Sequence, residues 1–366
     1  MIAMKNNEEF QVSKELESYF QNKFSPASIT TIPSGENFCI KFWKDYLQTN
    51  SLNSFQTLKS FYPQLHFPIQ ADINKTDAYI NAVLKGKESY KEFQHGLKLN
   101  DVEGLTISVH ESIAGGIPVV SVPDSKDFTT IVQSFLHKSN PIEVPESMGA
   151  FLASGMNNWA RIHALKKQWT ETNPFGNWNE EFSKNILPDP DLYKDKIIVL
   201  SNKPYSNVSA GYLGLPDDEW KAYSYLIRLE HECTHLYTLQ TYGFASNNLH
   251  DELIADYIGI AKAVGKYNKQ WMLSFMGLED YPNYRKGARL QNYLESLLLS
   301  EENFRILTGI IKNAIETIAW FDCELGPIQS DKDQKMRIEA LCETDLINIA
   351  SRKGGYILMT KYNEKD

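Results

Sequence analysis

The chain has 366 residues, 42% of them hydrophobic, which is enough for one large domain or two medium-sized domains with their own cores. The formal net charge of −9 argues against non-specific binding to nucleic acid. No apolar stretch approaches the roughly 18 residues of a membrane span, and the N-terminus lacks the apolar core of a signal peptide, so we expect a cytoplasmic protein without membrane contact.

The first half of the chain is predicted to mix helices and strands. Residues 1 to about 100 contain segments with the apolar spacing of helices, such as IKFWKDYLQ. The β-branched segments GLTISVHESI and GIPVVSVPD, joined by Ala114-Gly115-Gly116, predict a strand, a turn and a strand. A helix is expected in the second half of PESMGAFLASGMNNWARIHALKKQW, followed by a loop over 172–192 and a strand at 197–200.

The second half is predicted to be mainly helical. A long helix is expected to begin with Asp217 or Asp218 as its N-cap and to end at Gly243, because acidic residues favour the first turn and glycine favours the end of a helix. A second helix is expected over about 250–264, and most of 283–350 has helical spacing.

These elements predict an α+β fold with two parts. The first, residues 1–193, is a mixed α/β region of unknown role. The second, residues 194–366, is a mainly helical domain that carries the residues with recognisable chemistry. Asn157 and Asn158, in a segment rich in Gly, Met and Asn, are candidates for lining a cleft.

The long helix contains the sequence HECTH, which has the H-E-x-x-H spacing of a metal site. Residues four apart lie on the same face of a helix, so His231 and His235 can point both imidazoles at one ion. Glu232 lies next along the helix, where its carboxylate can reach a water molecule without binding the ion itself. A catalytic zinc needs a third protein ligand, so the motif alone is incomplete.

The next helix supplies candidates for the missing ligand. Glu252 and Asp256 are also four residues apart and share a helical face. Glu252 comes 17 residues after His235, which leaves room for a turn and an antiparallel return. Asp256 can then accept a hydrogen bond from the free ring N–H of a ligating histidine, a partner that metal-bound histidines usually have.

HECTH followed by a helix with the sequence DELIAD resembles the gluzincin zinc peptidases, of which thermolysin is an example. The resemblance covers about 35 residues and implies a zincin-like catalytic domain. It implies that His231, His235 and Glu252 bind zinc. It further implies that Glu232 is the general base that takes a proton from the attacking water, and that Asp256 orients a ligating histidine.

Other metal sites are compatible with parts of this pattern. Asp251 stands where thermolysin has an asparagine, and either Asp251 or Asp256 is a possible third ligand of an aspzincin. A di-iron carboxylate site uses paired E-x-x-H motifs, and the chain has them at Glu92–His95 and Glu232–His235. A metzincin is excluded, because that pattern requires a Gly and a His where Thr238 and Thr241 stand.

Two further features of a peptidase are expected near this site. An oxyanion donor is sought among Tyr281, Tyr284, Arg285, Arg289 and Tyr293, with Tyr284 as the first candidate. An extended segment at 207–210 is a candidate edge along which a peptide substrate could add as a strand.

The residues and the resemblance together predict a zinc-dependent hydrolase, and specifically a metallopeptidase with one zinc per chain. Its expected partner is a peptide or protein substrate. A metal-binding protein without turnover and a di-iron oxidase are the alternatives.

Overall fold

The computed structural model describes residues 13–24, 38–49, 52–92, 96–245, 248–294 and 299–365. The chain divides into two compact units, Ser34–Lys203 and a second unit made of Met1–Pro33 and Pro204–Asp366. Within the described residues helices predominate, and the strands form one four-stranded sheet. The predicted α+β fold class is therefore confirmed.

Most of the described chain is helical. In chain order the helices are α1 (Lys14–Tyr19), α2 (Phe38–Thr49), α3 (Ser54–Phe61), α4 (Asp77–Lys85), α5 (Ser125–Phe135), α6 (Trp159–Thr172), α7 (Trp178–Glu181), α8 (Ala210–Leu213), α9 (Asp217–Tyr242), α10 (Leu249–Val264), α11 (Lys269–Met276), α12 (Glu301–Leu325), α13 (Asp331–Cys342), α14 (Leu346–Ala350) and α15 (Gly354–Asn363). In the described residues, no helix combines the length and the apolar character needed to cross a membrane.

The sheet lies in the unit Ser34–Lys203. Its strands are β1 (Thr106–Ser112), β2 (Gly115–Val122), β3 (Ala150–Asn157) and β4 (Lys194–Ser201), in the spatial order β1-β2-β4-β3. The β2–β4 pair is parallel and the other two pairs are antiparallel. The predicted strand–turn–strand and the strand at 197–200 are confirmed. Strand β3 was not predicted, because a register shift between Ser154 and Met156 interrupts the alternation of its side chains.

The division between the units differs from the predicted boundary at 193/194. Strand β4 begins at Lys194 and is hydrogen-bonded to both β2 and β3, so it belongs to the sheet of the first unit. The chain leaves that unit only after Lys203, and the N-terminal residues up to Pro33 belong with the helical unit.

A buried ion pair lies in the core of the first unit. The Nη1 atom of Arg161 is 2.6 Å from Oδ1 of Asp195, and both side chains are almost completely buried. Three neutral donors also reach Oδ2 of Asp195, from Trp43, Tyr62 and Asn158. Asn158 also caps α6, so its role is structural and the suggestion that it lines a cleft is not supported.

We expect Asp195→Asn to lower the free energy of unfolding by about 3–5 kcal/mol, because the guanidinium of Arg161 would then be buried without its counter-charge. Denaturant unfolding of the full chain measures this effect. Glu180→Gln is the matched control, since Glu180 and Lys184 also lie 2.6 Å apart but are more than half exposed, and such pairs contribute little. Equal effects of the two substitutions would contradict the prediction.

Two adjacent helices, α9 and α10, form the centre of the helical unit. Gly243 and Gly265 end them in the left-handed conformation, as predicted. The first turn of α9 carries the expected acidic residues, but its N-cap is Pro216 without a side-chain hydrogen bond. Gly259 of α10 allows the close packing, because a Cβ atom there would lie 2.7 Å from the carbonyl oxygen of Ile227 on α9.

Two segments of this unit differ from their predicted structure. Residues 285–294 were expected to be helical, but they contain a 3₁₀ turn, Arg289–Tyr293, preceded by Gly287 with φ of +80°. The segment 207–210 was a candidate strand edge. In the described chain it joins a 3₁₀ turn, Tyr205–Asn207, to α8 and is not part of the sheet.

Candidate metal centre

Three side chains from α9 and α10, those of His231, His235 and Glu252, place potential metal-ligand atoms close to one another. The Nε2 atoms of His231 and His235 are 3.0 Å apart, and each lies 3.6 Å from a carboxylate oxygen of Glu252. Zinc bound tetrahedrally at about 2.05 Å would hold its ligand atoms about 3.3 Å apart. The three observed separations bracket this value. Among the described residues, these side chains are the group whose potential ligand atoms all lie within 4.8 Å of one another.

Two buried aspartates orient the imidazole rings. Oδ1 of Asp256 is 2.8 Å from Nδ1 of His231, and Oδ2 of Asp251 is 3.1 Å from Nδ1 of His235. Because both contacts use Nδ1, both Nε2 atoms face Glu252. This geometry favours Glu252 as the third ligand over Asp251 or Asp256, which lie on the opposite side of the rings. The orienting role of Asp251 was not predicted from the sequence.

Tyr205 and Arg289 both contact the carboxylate of Asp256, the residue that orients His231. The Tyr205 hydroxyl donates a hydrogen bond to Oδ1 of Asp256 and accepts one from Nη1 of Arg289 at 3.0 Å. The guanidinium of Arg289 also forms an ion pair with Oδ2 of Asp256. The Tyr205 ring contacts the guanidinium groups of both Arg228 and Arg289, at 5.5 and 5.3 Å from its centroid. These contacts fix the carboxylate that in turn fixes His231.

A second tyrosine contacts the third candidate ligand. The hydroxyl of Tyr293 donates a 2.9 Å hydrogen bond to Oε2 of Glu252. Tyr284, the first candidate for an oxyanion donor, instead donates to the carbonyl of Ala288 and packs against Phe304. Of these five residues, Arg289 and Tyr293 are therefore the ones that contact carboxylates of the centre in the described chain.

Burial and the neighbouring charges shift the pKa values of the ligands in different directions. Burial, and then His235, lowers the pKa of His231 to about 4. Although burial opposes it, Asp251 and Glu252 raise the pKa of His235 well above its ordinary value. Burial also opposes the shift of Glu252, whose pKa is lowered to about 2 by His235, His231 and Arg289. His231 is therefore neutral and Glu252 ionised near pH 7, as metal ligands must be, whereas His235 holds a proton that it must release when a metal ion binds.

Glu232 is a buried carboxyl beside these ligands and is 7% exposed. Burial raises its pKa, while the charges of His231 and His235 lower it, so the carboxyl lies within electrostatic range of both histidines. A carboxyl in such surroundings suits proton transfer better than an exposed one, because its pKa moves towards neutrality.

The second E-x-x-H motif, Glu92–His95, falls largely outside the described residues. His95 and the side chain of Glu92 lie outside the described residues, so the pairing that a di-iron site requires has no structural description. In the first motif, His235 is part of the cluster on α9 and α10, and Glu232 is a buried neighbour of that cluster.

The fold and the centre define an α+β protein with a buried His-His-Glu cluster on two packed helices. The chain belongs to a family of unknown function, DUF7005, whose model matches residues 1–353. This match includes all residues of the cluster. No curated protein and no solved structure matches the chain.

Proposed function

We propose that this protein is a zinc-dependent hydrolase and that its substrate is a peptide or protein. The observation that carries the proposal is the convergence of His231, His235 and Glu252, with both imidazoles already oriented by buried aspartates. Such support is typical of metal-ligating histidines, whose second ring nitrogen usually contacts a carboxylate or a carbonyl.

The donor set fits zinc. Two imidazole nitrogens and one carboxylate oxygen make three protein ligands, the number found in catalytic zinc sites that keep a position open for water or substrate. When bound, zinc supplies a Lewis acid that acidifies water and polarises a carbonyl group. We propose one such ion per chain.

The residues of the chain then have distinct tasks. Glu232 accepts the proton of the attacking water and returns it to the leaving amine. Asp256 and Asp251 hold the rings of His231 and His235, so that the ligand nitrogens keep their positions during the reaction. A metal-storage site does not require a buried carboxyl such as Glu232 next to its ligands, and its presence favours a hydrolase over a binding protein without turnover.

The choice of a peptide substrate is supported by the resemblance of HECTH and DELIAD to the gluzincin peptidases. In the part of the chain that the structure describes, Cys39, Cys233, Cys323 and Cys342 form no disulfide, which is consistent with the proposed cytoplasmic location.

Metal content and proteolysis of the full chain test the proposal together. We expect about one zinc per chain by elemental mass spectrometry, and cleavage of an unfolded protein substrate that a chelator stops and added zinc restores. A hydroxamate should inhibit the same cleavage. Bound zinc without any cleavage would favour the binding protein, and about two irons per chain would favour the oxidase. A chain that takes up no zinc would refute the centre.

A further inference from the structure

The 3₁₀ turn Arg289–Tyr293 contacts two of the three carboxylates that α10 contributes to the metal centre. Arg289 forms an ion pair with Asp256, and Tyr293 donates a hydrogen bond to Glu252. The two residues are four apart on the turn, and their partners are four apart on α10. One short segment therefore supports a candidate ligand and the aspartate that orients another ligand.

The contact of Tyr293 distinguishes the two oxygens of Glu252. Oε1 lies 3.6 Å from Nε2 of His235, and Oε2 lies 3.6 Å from Nε2 of His231. Only Oε2 receives the Tyr293 hydroxyl, which must be the donor because a carboxylate can only accept. Because this hydrogen bond holds Oε2, Oε1 is the oxygen of Glu252 that is freer to bind an ion.

The N-terminal segment 13–24 is attached to the backbone of the same turn. The hydroxyl of Tyr19 donates to the carbonyl oxygen of Tyr293 at 3.2 Å. Two other contacts anchor the segment to the helical unit: the amide of Asn22 donates to the carbonyl of Cys342, and the ring of Phe24 packs against His250 at the start of α10. Tyr19, which is distant from Tyr293 in the sequence, thus helps to position Tyr293.

We propose, on the basis of the metal centre described above, that Tyr293 is a positioning residue that restricts Glu252 to binding through one oxygen, and that Tyr19 holds Tyr293 in place. Tyr293 contacts the ligand and need not contact the substrate. Loss of the Tyr293 hydroxyl should therefore change the affinity for the metal ion and its coordination, as well as any rate of hydrolysis.

The experiment measures zinc affinity of the full chain by competition with a chromophoric chelator. We expect Tyr293→Phe to weaken zinc binding by about 10- to 100-fold, the usual effect of losing a partner of a metal ligand. Tyr19→Phe should weaken it less, by about 2- to 10-fold, because it removes one neutral hydrogen bond at a distance. Tyr267→Phe is the matched control, since Tyr267 is buried in the same unit and its hydroxyl makes no hydrogen bond within the described chain.

The visible spectrum of the cobalt-substituted protein separates positioning from general destabilisation. We expect the Tyr293→Phe spectrum to change, because Glu252 can then bind through both oxygens, and the Tyr267→Phe spectrum to match the wild type. Wild-type zinc affinity and an unchanged cobalt spectrum in Tyr293→Phe would overturn the proposal. If that variant does not fold, Tyr19→Phe decides: weaker zinc binding supports the proposal, and wild-type affinity overturns it. A wild-type chain that binds no zinc would instead refute the metal centre itself, and this proposal with it.

Discussion

Glu232→Gln is expected to lower the rate of hydrolysis by about 100- to 10,000-fold while zinc remains bound, because the amide cannot accept a proton from water. The substitution keeps the size of the side chain and removes only its basicity. Glu232 is buried and is not among the three side chains whose donor atoms converge, so its loss should leave metal content unchanged. Steady-state cleavage of a peptide and elemental analysis of the same preparation measure the two quantities.

Glu230→Gln is the control for this experiment. Glu230 is the same residue type on the same helix, is only partly buried, and lies two positions away, where a helix presents a different face. We expect it to retain most of the activity. If the Glu232→Gln protein kept full activity, Glu232 could not be the general base. If it lost zinc as well as activity, its role would be in metal binding.

The parts of the centre that could be predicted from the sequence are those that depend on local geometry. Helices α9 and α10 follow from apolar spacing, acidic first turns and terminal glycines. Once the helices are known, the four-residue spacing of His231 and His235 places both rings on one face. The spacing of Glu252 and Asp256 does the same on α10. These predictions needed no knowledge of tertiary contacts.

The supporting residues could not be predicted, because they reach the centre from distant parts of the chain. Tyr205 lies 51 positions from Asp256, and Tyr293 lies 41 positions from Glu252. Nothing in the sequence around Tyr293 distinguishes it from Tyr284, which packs elsewhere. The sequence alone leaves Asp251 as a possible ligand, because only the direction of its side chain shows that it faces Nδ1 of His235. The unit boundary was likewise set by strand pairing of β4, a long-range property.

The buried charges of the centre indicate how strongly a bound metal ion should stabilise the folded chain. Four carboxylates are buried here, those of Glu232, Asp251, Glu252 and Asp256. Arg228 and Arg289 are the buried guanidinium groups that interact with Glu232 and with Asp256, respectively. If all four carboxylates are ionised and both histidines neutral, a divalent cation makes this set neutral. Buried charge without compensation is costly, so a bound dication should stabilise the folded chain strongly.

We expect the His231→Ala, His235→Ala double variant to lose the zinc, from about one ion per chain to nearly none, and to lose hydrolysis with it. The wild-type chain should gain about 4 kcal/mol of stability when free zinc is about 1,000 times its Kd, and the double variant should gain nothing. Denaturant unfolding with and without zinc measures this difference. A His137→Ala, His163→Ala variant removes two histidines of the other unit and should respond to zinc like the wild type. Retention of zinc by the His231, His235 variant would mean that the ion binds elsewhere, because no third ligand can compensate for the loss of both imidazoles.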